Sequence, residues 1–261
     1  MNINLNGKFA LVCGSTQGIG KASATMLASM GATVILVARN EAELKVTVAS
    51  LPKTDHPHGY VVADFSNPEE VRKIVGAFLE KNGPVQILVN NTGGPASGPI
   101  TEAREEDFIK AFTAHLICNQ VLAKLVLPGM KAIGYGRIIN IISTSVKQPL
   151  PNLGVSNTIR AAVGNWAKTW ANEVARFGIT VNNVLPGATE TSRLISIIDT
   201  RAAKSGQTKD AISADMIKEI PMQRFAKPEE VAAAVCFLAS PAASYITGIN
   251  VPVDGGRTTS L

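Results

Sequence analysis

Three glycines punctuate the stretch Cys13-Gly14-Ser15-Thr16-Gln17-Gly18-Ile19-Gly20. The apolar run 9–12 before it reads as a buried strand, and the pattern over 21–30 after it reads as a helix. A glycine-rich turn between a strand and a helix bends tightly and lets a bulky ligand approach the backbone. The free N–H groups of the helix start, aided by the helix dipole, suit a pyrophosphate. The expected chemistry is phosphate cradling, with Gly14, Ser15, Thr16, Gln17, Gly18, Ile19 and Gly20 as cofactor contacts. The spacing is G-x-x-x-G-x-G, not the commoner G-x-G-x-x-G, so the motif draws its weight from the elements around it.

The next residues able to do chemistry stand at strand ends. The run 34–38 closes on Ala38-Arg39-Asn40, with no acid at its tip. An acid there would take a ribose 2′-hydroxyl, whereas an arginine accommodates a 2′-phosphate. Arg39 is therefore either a solvated strand-end residue or a selector for NADP(H) over NAD(H). Asp64 follows a strand over 60–63, and Asn90-Asn91-Thr92-Gly93 follows one over 85–89. Further strands are expected over 137–142, 180–185 and 250–253, and helices over 41–51, 105–130, 156–177 and 228–239. Strands alternating with helices at this spacing imply a single-domain, Rossmann-like, doubly wound parallel α/β sheet with helices on both faces. Ligands of such sheets sit at the carboxyl ends of the strands, where all the residues named so far fall.

The stretch 191–220 has no clear strand and reads as a mobile lid over the site; Leu194, Ile195, Ile197 and Ile198 make it apolar. Val163, Trp166, Trp170 and Val174 form one helical stripe, suited to core or to a subunit contact in a homo-oligomer. His56 and His58 lack a carboxylate or cysteine at ligand spacing, so no metal site is expected.

Composition narrows the function classes. The 261 residues are 46% hydrophobic and 17% charged, which excludes a disordered chain. The formal charge of +5 is scattered, without a basic run or interleaved aromatics, so it suits small anions and not a nucleic acid. No apolar run reads as long enough to span a membrane, and 1–8 is no signal peptide. Cys13, Cys118 and Cys236 are far apart and odd in number, which favours buried thiols in a reducing cytoplasm.

Taken together these residues resemble the short-chain dehydrogenase/reductase family over essentially the whole chain. Gly14 to Gly20 matches its glycine motif, with Cys13 where a threonine is usual. Asp64 matches the acid that holds the adenine amine, and Asn90-Asn91-Thr92-Gly93 resembles its N-N-A-G. Pro186-Gly187 and Thr191 look like its P-G motif and the threonine near the nicotinamide. The stretch 220–256, ending in Asp254-Gly255-Gly256, is similar to 3-oxoacyl-acyl-carrier-protein reductases. The resemblance implies NADP(H) bound by the glycine turn, Arg39, Asp64, Asn90, Gly93, Arg160, Pro186, Gly187 and Thr191. It implies a carbonyl or alcohol substrate, with a 3-oxoacyl thioester as one candidate, and a dimer or tetramer.

The catalytic positions depart from the family. Its reductases use Asn, Ser, Tyr and Lys; here the corresponding residues are His115, Ser143, Ser156 and Arg160. Tyr60, Tyr135 and Tyr245 are the only tyrosines, and none lies in Y-x-x-x-K. Serine is a far weaker acid than tyrosine, and arginine holds its proton. Histidine, titrating near 6.5, is the expected substitute proton donor, with Ser143 on the carbonyl oxygen. A satisfied buried histidine is the alternative. The departures also leave open a catalytically impaired NADP(H)- or acyl-binding module and a structural subunit.

Overall fold

Runs of Val, Ile and Leu, each stopped by Gly, Asn, Pro or a charged residue, become seven parallel strands in a computed structural model that describes residues 1–260. The strands are β1 (Phe9–Cys13), β2 (Thr33–Ala38), β3 (Gly59–Val62), β4 (Ile87–Asn90), β5 (Gly136–Ile141), β6 (Ile179–Pro186) and β7 (Asn250–Val253). They lie in the order β3-β2-β1-β4-β5-β6-β7. The sheet reverses direction between β1 and β4, which opens a crevice at their carboxyl ends.

Helices cover both faces. They are α1 (Gly18–Ser29), α2 (Glu41–Ser50), α3 (Pro68–Asn82), α4 (Glu105–Phe112), α5 (Cys118–Ile133), α6 (Gly154–Val174), α7 (Ser192–Ser205), α8 (Lys209–Lys218) and α9 (Pro228–Ala239). Ala24 and Leu27 of α1, Leu44 of α2 and Val231 and Val235 of α9 bury one face with Val12, Leu36, Val89 and Ile139. Val71 and Val75 of α3, Leu122 and Val126 of α5 and Ala167 and Ala171 of α6 bury the other with Leu11, Leu88, Ile138 and Val181. The five inner strands β2, β1, β4, β5 and β6 are buried on both sides, which is why most of their residues are apolar without alternation, whereas the edge strands β3 and β7 are partly exposed.

The expected helix over 105–130 is longer and interrupted. α4 and α5 are joined through one π turn, Thr113–Ile117, with His115 at its centre. The helical run Glu105–Ile133 is long and apolar enough to cross a membrane by length and composition, contrary to the sequence expectation. Here Val121, Leu122, Ala123, Val126 and Met130 are buried in the core instead. The tryptophan stripe is core too. Trp166 and Trp170 both donate to Gln120 Oε1, at 2.7 and 2.9 Å, and pack on the α3–α5–α6 face.

A row of asparagines crosses the carboxyl end of the sheet. Asn90 Nδ2 donates to Asn140 Oδ1 (2.8 Å), Asn140 Nδ2 to Asn183 Oδ1 (2.9 Å) and Asn183 Nδ2 to Asn250 Oδ1 (2.8 Å). Each pair is directly opposite in register, so four neighbouring strands are laced by side chains as well as backbone. Asn90 Oδ1, at the end of the row, is buried and has no hydrogen-bond partner among the described residues.

The stretch 191–220, read as lid, is helical as α7 and α8. Leu194, Ile212 and Met216 form a small core of their own there, with Ile198 and Phe225 packed against it.

Candidate active site

The glycine turn is shaped from the β4 side. Gly14 and Gly18 take φ of +56° and +53°, a region strained for other residues. A Cβ on Gly14 would stand 2.7 Å from the Asn91 carbonyl oxygen, and one on Gly20 would collide with the Gly14 carbonyl. Asn91 Nδ2 donates to the carbonyls of Cys13 (3.3 Å) and Gly14 (3.1 Å). Asn91, which the sequence reading passed over for Asn90, is thus the side chain that fastens the turn. Side chains alternate along a strand. With Asn90 committed to the sheet ladder, the following asparagine faces β1, and the paired N-N was the signal available in the sequence.

Two helix starts meet at this turn. Gln17 caps α1 without a side-chain hydrogen bond, and the first turns of α1 and α7 hold no acid. Thr191 caps α7, and its Cγ2 lies 3.1 Å from where a Cβ on Gly18 would be. Ser192 Oγ donates to Gln17 Oε1 at 3.3 Å. Two unopposed N-termini therefore converge beside a turn held bare of side chains, which fits a pyrophosphate.

The other expected cofactor residues divide by what their side chains already do. Ser15 is buried and donates to the Val37 carbonyl (3.5 Å), and Ile19 packs into the core, so only their backbones can meet a ligand. Asn90 is engaged in the ladder. Gly187 N–H donates to the Val253 carbonyl (2.9 Å), just past Pro186 at the end of β6. Gly93 is exposed and a Cβ there would meet nothing within 4 Å, so it borders open space. Thr16 is half-buried on the turn; Asp64 is half-buried at the tip of β3 and accepts from Ser66 N–H (2.9 Å). Arg39 is exposed beyond β2 and forms no ion pair among the described residues.

The four expected catalytic residues come from three elements, of which α6 packs against the other two. Ser143 follows β5, and its Oγ accepts from Ser145 N–H at 3.1 Å. Ser156 and Arg160 lie one turn apart on α6, on one face. Arg160 Nη1 donates to the carbonyl of Ile141, the last residue of β5, at 2.8 Å. α6 packs against both the π turn bearing His115 and the turn after Ser143. His115 is buried at 4% exposure, with Nδ1 2.6 Å from Thr92 Oγ1. The Ser156 hydroxyl has no hydrogen-bond partner among the described residues.

Electrostatics alters the expected role of His115. Burial, then the Arg160 charge, hold its pKa well below 6.5; a hydrogen bond to the Gly93 backbone opposes them, and the Arg193 charge adds to the depression. The ring is neutral at neutral pH, so the expected titration near 6.5 does not hold. Burial, then the neighbouring charge of Arg193, lower Arg160 to about 10, still protonated at neutral pH. No tyrosine can substitute. Tyr135 donates to the Ala239 carbonyl, Tyr60 to Glu41 and Tyr245 is fully exposed.

The apolar side of α7 does not face this cluster. Leu194, Ile195 and Ile198 border a cavity of about 970 Å³ shared with Lys21 and Thr25 of α1 and with Phe225. On the α7 side that meets the β4 loop stands Arg193, its Nε 3.3 Å from where a Cβ on Gly94 would be.

The family model described as enoyl-(acyl carrier protein) reductase matches residues 14–258. The chain belongs to the short-chain dehydrogenase/reductase family. This short-chain family member is 38% identical to a 3-oxoacyl-(acyl-carrier-protein) reductase of Vibrio cholerae serotype O1, over 97% of this chain and 98% of the relative. Its fold is similar to that of L-sorbose reductase from Gluconobacter frateurii, solved with NADPH and L-sorbose, at a TM-score of 0.92 and 33% identity over 100% of both chains. It is also similar to actinorhodin polyketide ketoreductase, solved with NADPH, at a TM-score of 0.91 and 32% identity over 97% of this chain and 98% of that one.

Proposed function

We propose that the protein is an NADP(H)-dependent reductase of a carbonyl compound, or dehydrogenase of the matching alcohol, whose proton passes through His115. The observation that supports this reading is that a glycine turn flanked by two helix starts without acids lies on a sheet where α6, bearing Ser156 and Arg160, packs against both the π turn of a neutral His115 and the turn after Ser143. Gly14 to Gly20 and the start of α7 would hold the pyrophosphate, Arg39 the 2′-phosphate and Asp64 the adenine. When bound, NADPH supplies a hydride to the carbonyl carbon.

The chain's own residues manage the oxygen. Ser143 donates a hydrogen bond to it, and Arg160, fixed on the Ile141 carbonyl, keeps a positive charge beside the developing alkoxide. Ser156, where the family has tyrosine, leaves room for substrate or water and is too weak an acid to protonate the oxygen. A neutral imidazole can act by exchanging tautomers. One ring nitrogen gives its proton to the oxygen while the other takes one from a hydronium ion by way of the Thr92 hydroxyl, which passes a proton on as it receives one, so one solvent proton is consumed per carbonyl reduced.

The relatives support the reaction class. The Vibrio cholerae relative favours a 3-oxoacyl thioester, whereas the sorbose reductase favours a polyhydroxy ketone. α7 and α8 are the mobile lid of this reading. The assembly is a dimer or tetramer of identical chains in the cytoplasm, and three unpaired cysteines fit that reducing compartment.

The test is NADPH oxidation by wild type and His115→Gln across a panel of ketones. The variant is expected to lose about 100-fold or more in kcat with NADPH affinity unchanged. Equal turnover removes His115 from the proton path. NADPH binding by the wild type without turnover of any ketone favours a binding module instead.

A further inference from the structure

The seven ion pairs among the described residues all involve exposed or rim side chains such as Lys45–Glu41, Arg224–Glu230 and Lys209–Asp199. The two half-buried guanidiniums at the active site have none. Among the described residues Arg160 has its one hydrogen bond to a backbone carbonyl, and Arg193 has no hydrogen bond and no ion pair. Arg193 lies against Gly94, the neighbour of the exposed Gly93, and its charge is felt by both Arg160 and His115. Two like charges held together away from water repel unless an anion joins them. The anionic parts of a dinucleotide have their own partners at the two helix starts and at Arg39. Arg193, the second residue of α7, lays its guanidinium against Gly94 of the loop after β4 instead.

We propose that the substrate carries a carboxylate, bound between Arg193 and Arg160 beside the reacting carbonyl, so that the protein acts on oxo acids or the corresponding hydroxy acids. This rests on the assignment of the pocket as a carbonyl-reducing site and narrows its substrate. The fork of a guanidinium matches the two oxygens of a carboxylate. The pairing also offsets the two charges that add to burial in lowering the His115 pKa. The apolar Leu194, Ile195 and Ile198 line the cavity beside α1, whose lining includes none of His115, Ser143, Ser156 and Arg160.

Acetoacetate and levulinate are each compared with their methyl esters as substrates for wild type, Arg193→Gln and Arg193→Lys. The wild type is expected to prefer each acid over its ester by about 10- to 100-fold in kcat/KM. Arg193→Gln is expected to erase that preference mainly through KM, with Arg193→Lys recovering part of it and the Kd for NADPH unchanged. Malonate serves as an unreactive probe: it is expected to raise the melting temperature of the NADPH-bound wild type and not of Arg193→Gln. Equal use of acid and ester, or a malonate shift identical in both proteins, overturns the carboxylate site. A weaker Kd for NADPH in Arg193→Gln reassigns Arg193 to the cofactor and overturns it as well. If no ketone is reduced, the reaction assignment fails, while the malonate comparison still decides the anion site.

Discussion

Arg39 stands exposed at the end of β2 with no acid beside it. Arg39→Asp is expected to weaken NADPH by about tenfold or more, with NADH unchanged or tighter, read from the quenching or enhancement of nicotinamide fluorescence. An unchanged ratio of the two affinities would return Arg39 to the status of a solvated strand end. His115 offers a second test, on stability. The unfolded chain takes up a proton near pH 6.5 that the folded ring refuses, because burial and the Arg160 charge hold its pKa well below that value. Folding therefore binds fewer protons in that window, and stability falls as the pH drops below 6.5, by at most about 1.4 kcal/mol per pH unit. His115→Asn is expected to flatten this fall between urea midpoints measured at pH 7.5 and 5.5, and an unaltered slope would mean that the ring titrates normally. The thiols take no part at these pH values: burial pushes Cys118 and Cys236 up to about 12 and Cys13 higher still.

Between residue and molecule, the decisive element is the turn from β1 into α1. Gly20→Ala places a methyl group against the Gly14 carbonyl and 2.7 Å from Asn91 Nδ2. The substitution is expected to cost about 1–3 kcal/mol in urea unfolding and to weaken NADPH at least tenfold. Wild-type affinity in the variant would show that the turn relaxes freely. This element was readable in the sequence because glycine placement and apolar runs are local signals. So were the strands, since burial on both faces leaves long β-branched stretches without alternation. What was not readable is set by contacts distant along the chain. Asn91 acquires its role only when β4 lies beside β1. Arg193 gave no signal within the stretch read as a lid, because its place against Gly94 exists only once α7 lies beside the β4 loop. The π turn was hidden because periodicity over 105–133 averages across one extra residue, yet that turn is what carries His115 to Thr92.

Across the whole molecule, the sheet is tied at both ends of its strands by polar groups buried in an apolar body. At the amino end of β5, Arg137 is buried and donates to the carbonyls of Gly136, Gly178 and Ser240 while stacking 4.1 Å from the Tyr135 ring. At the carboxyl end the asparagine row does the equivalent work beneath the active site. Asn140→Leu is expected to destabilise the protein by about 2–5 kcal/mol, because it strands the amide of Asn90 and the carbonyl oxygen of Asn183 at once. A midpoint shift below about 1 kcal/mol would show that water repairs the gap. The two inner amides, Asn140 and Asn183, are each donor to one neighbour and acceptor from the other, so their orientation is set from both sides. A lineage descending from this protein thus has few single steps open to it there: the four sites should drift as a block or stay put, and a lone replacement in the middle is the one most expected to be purged.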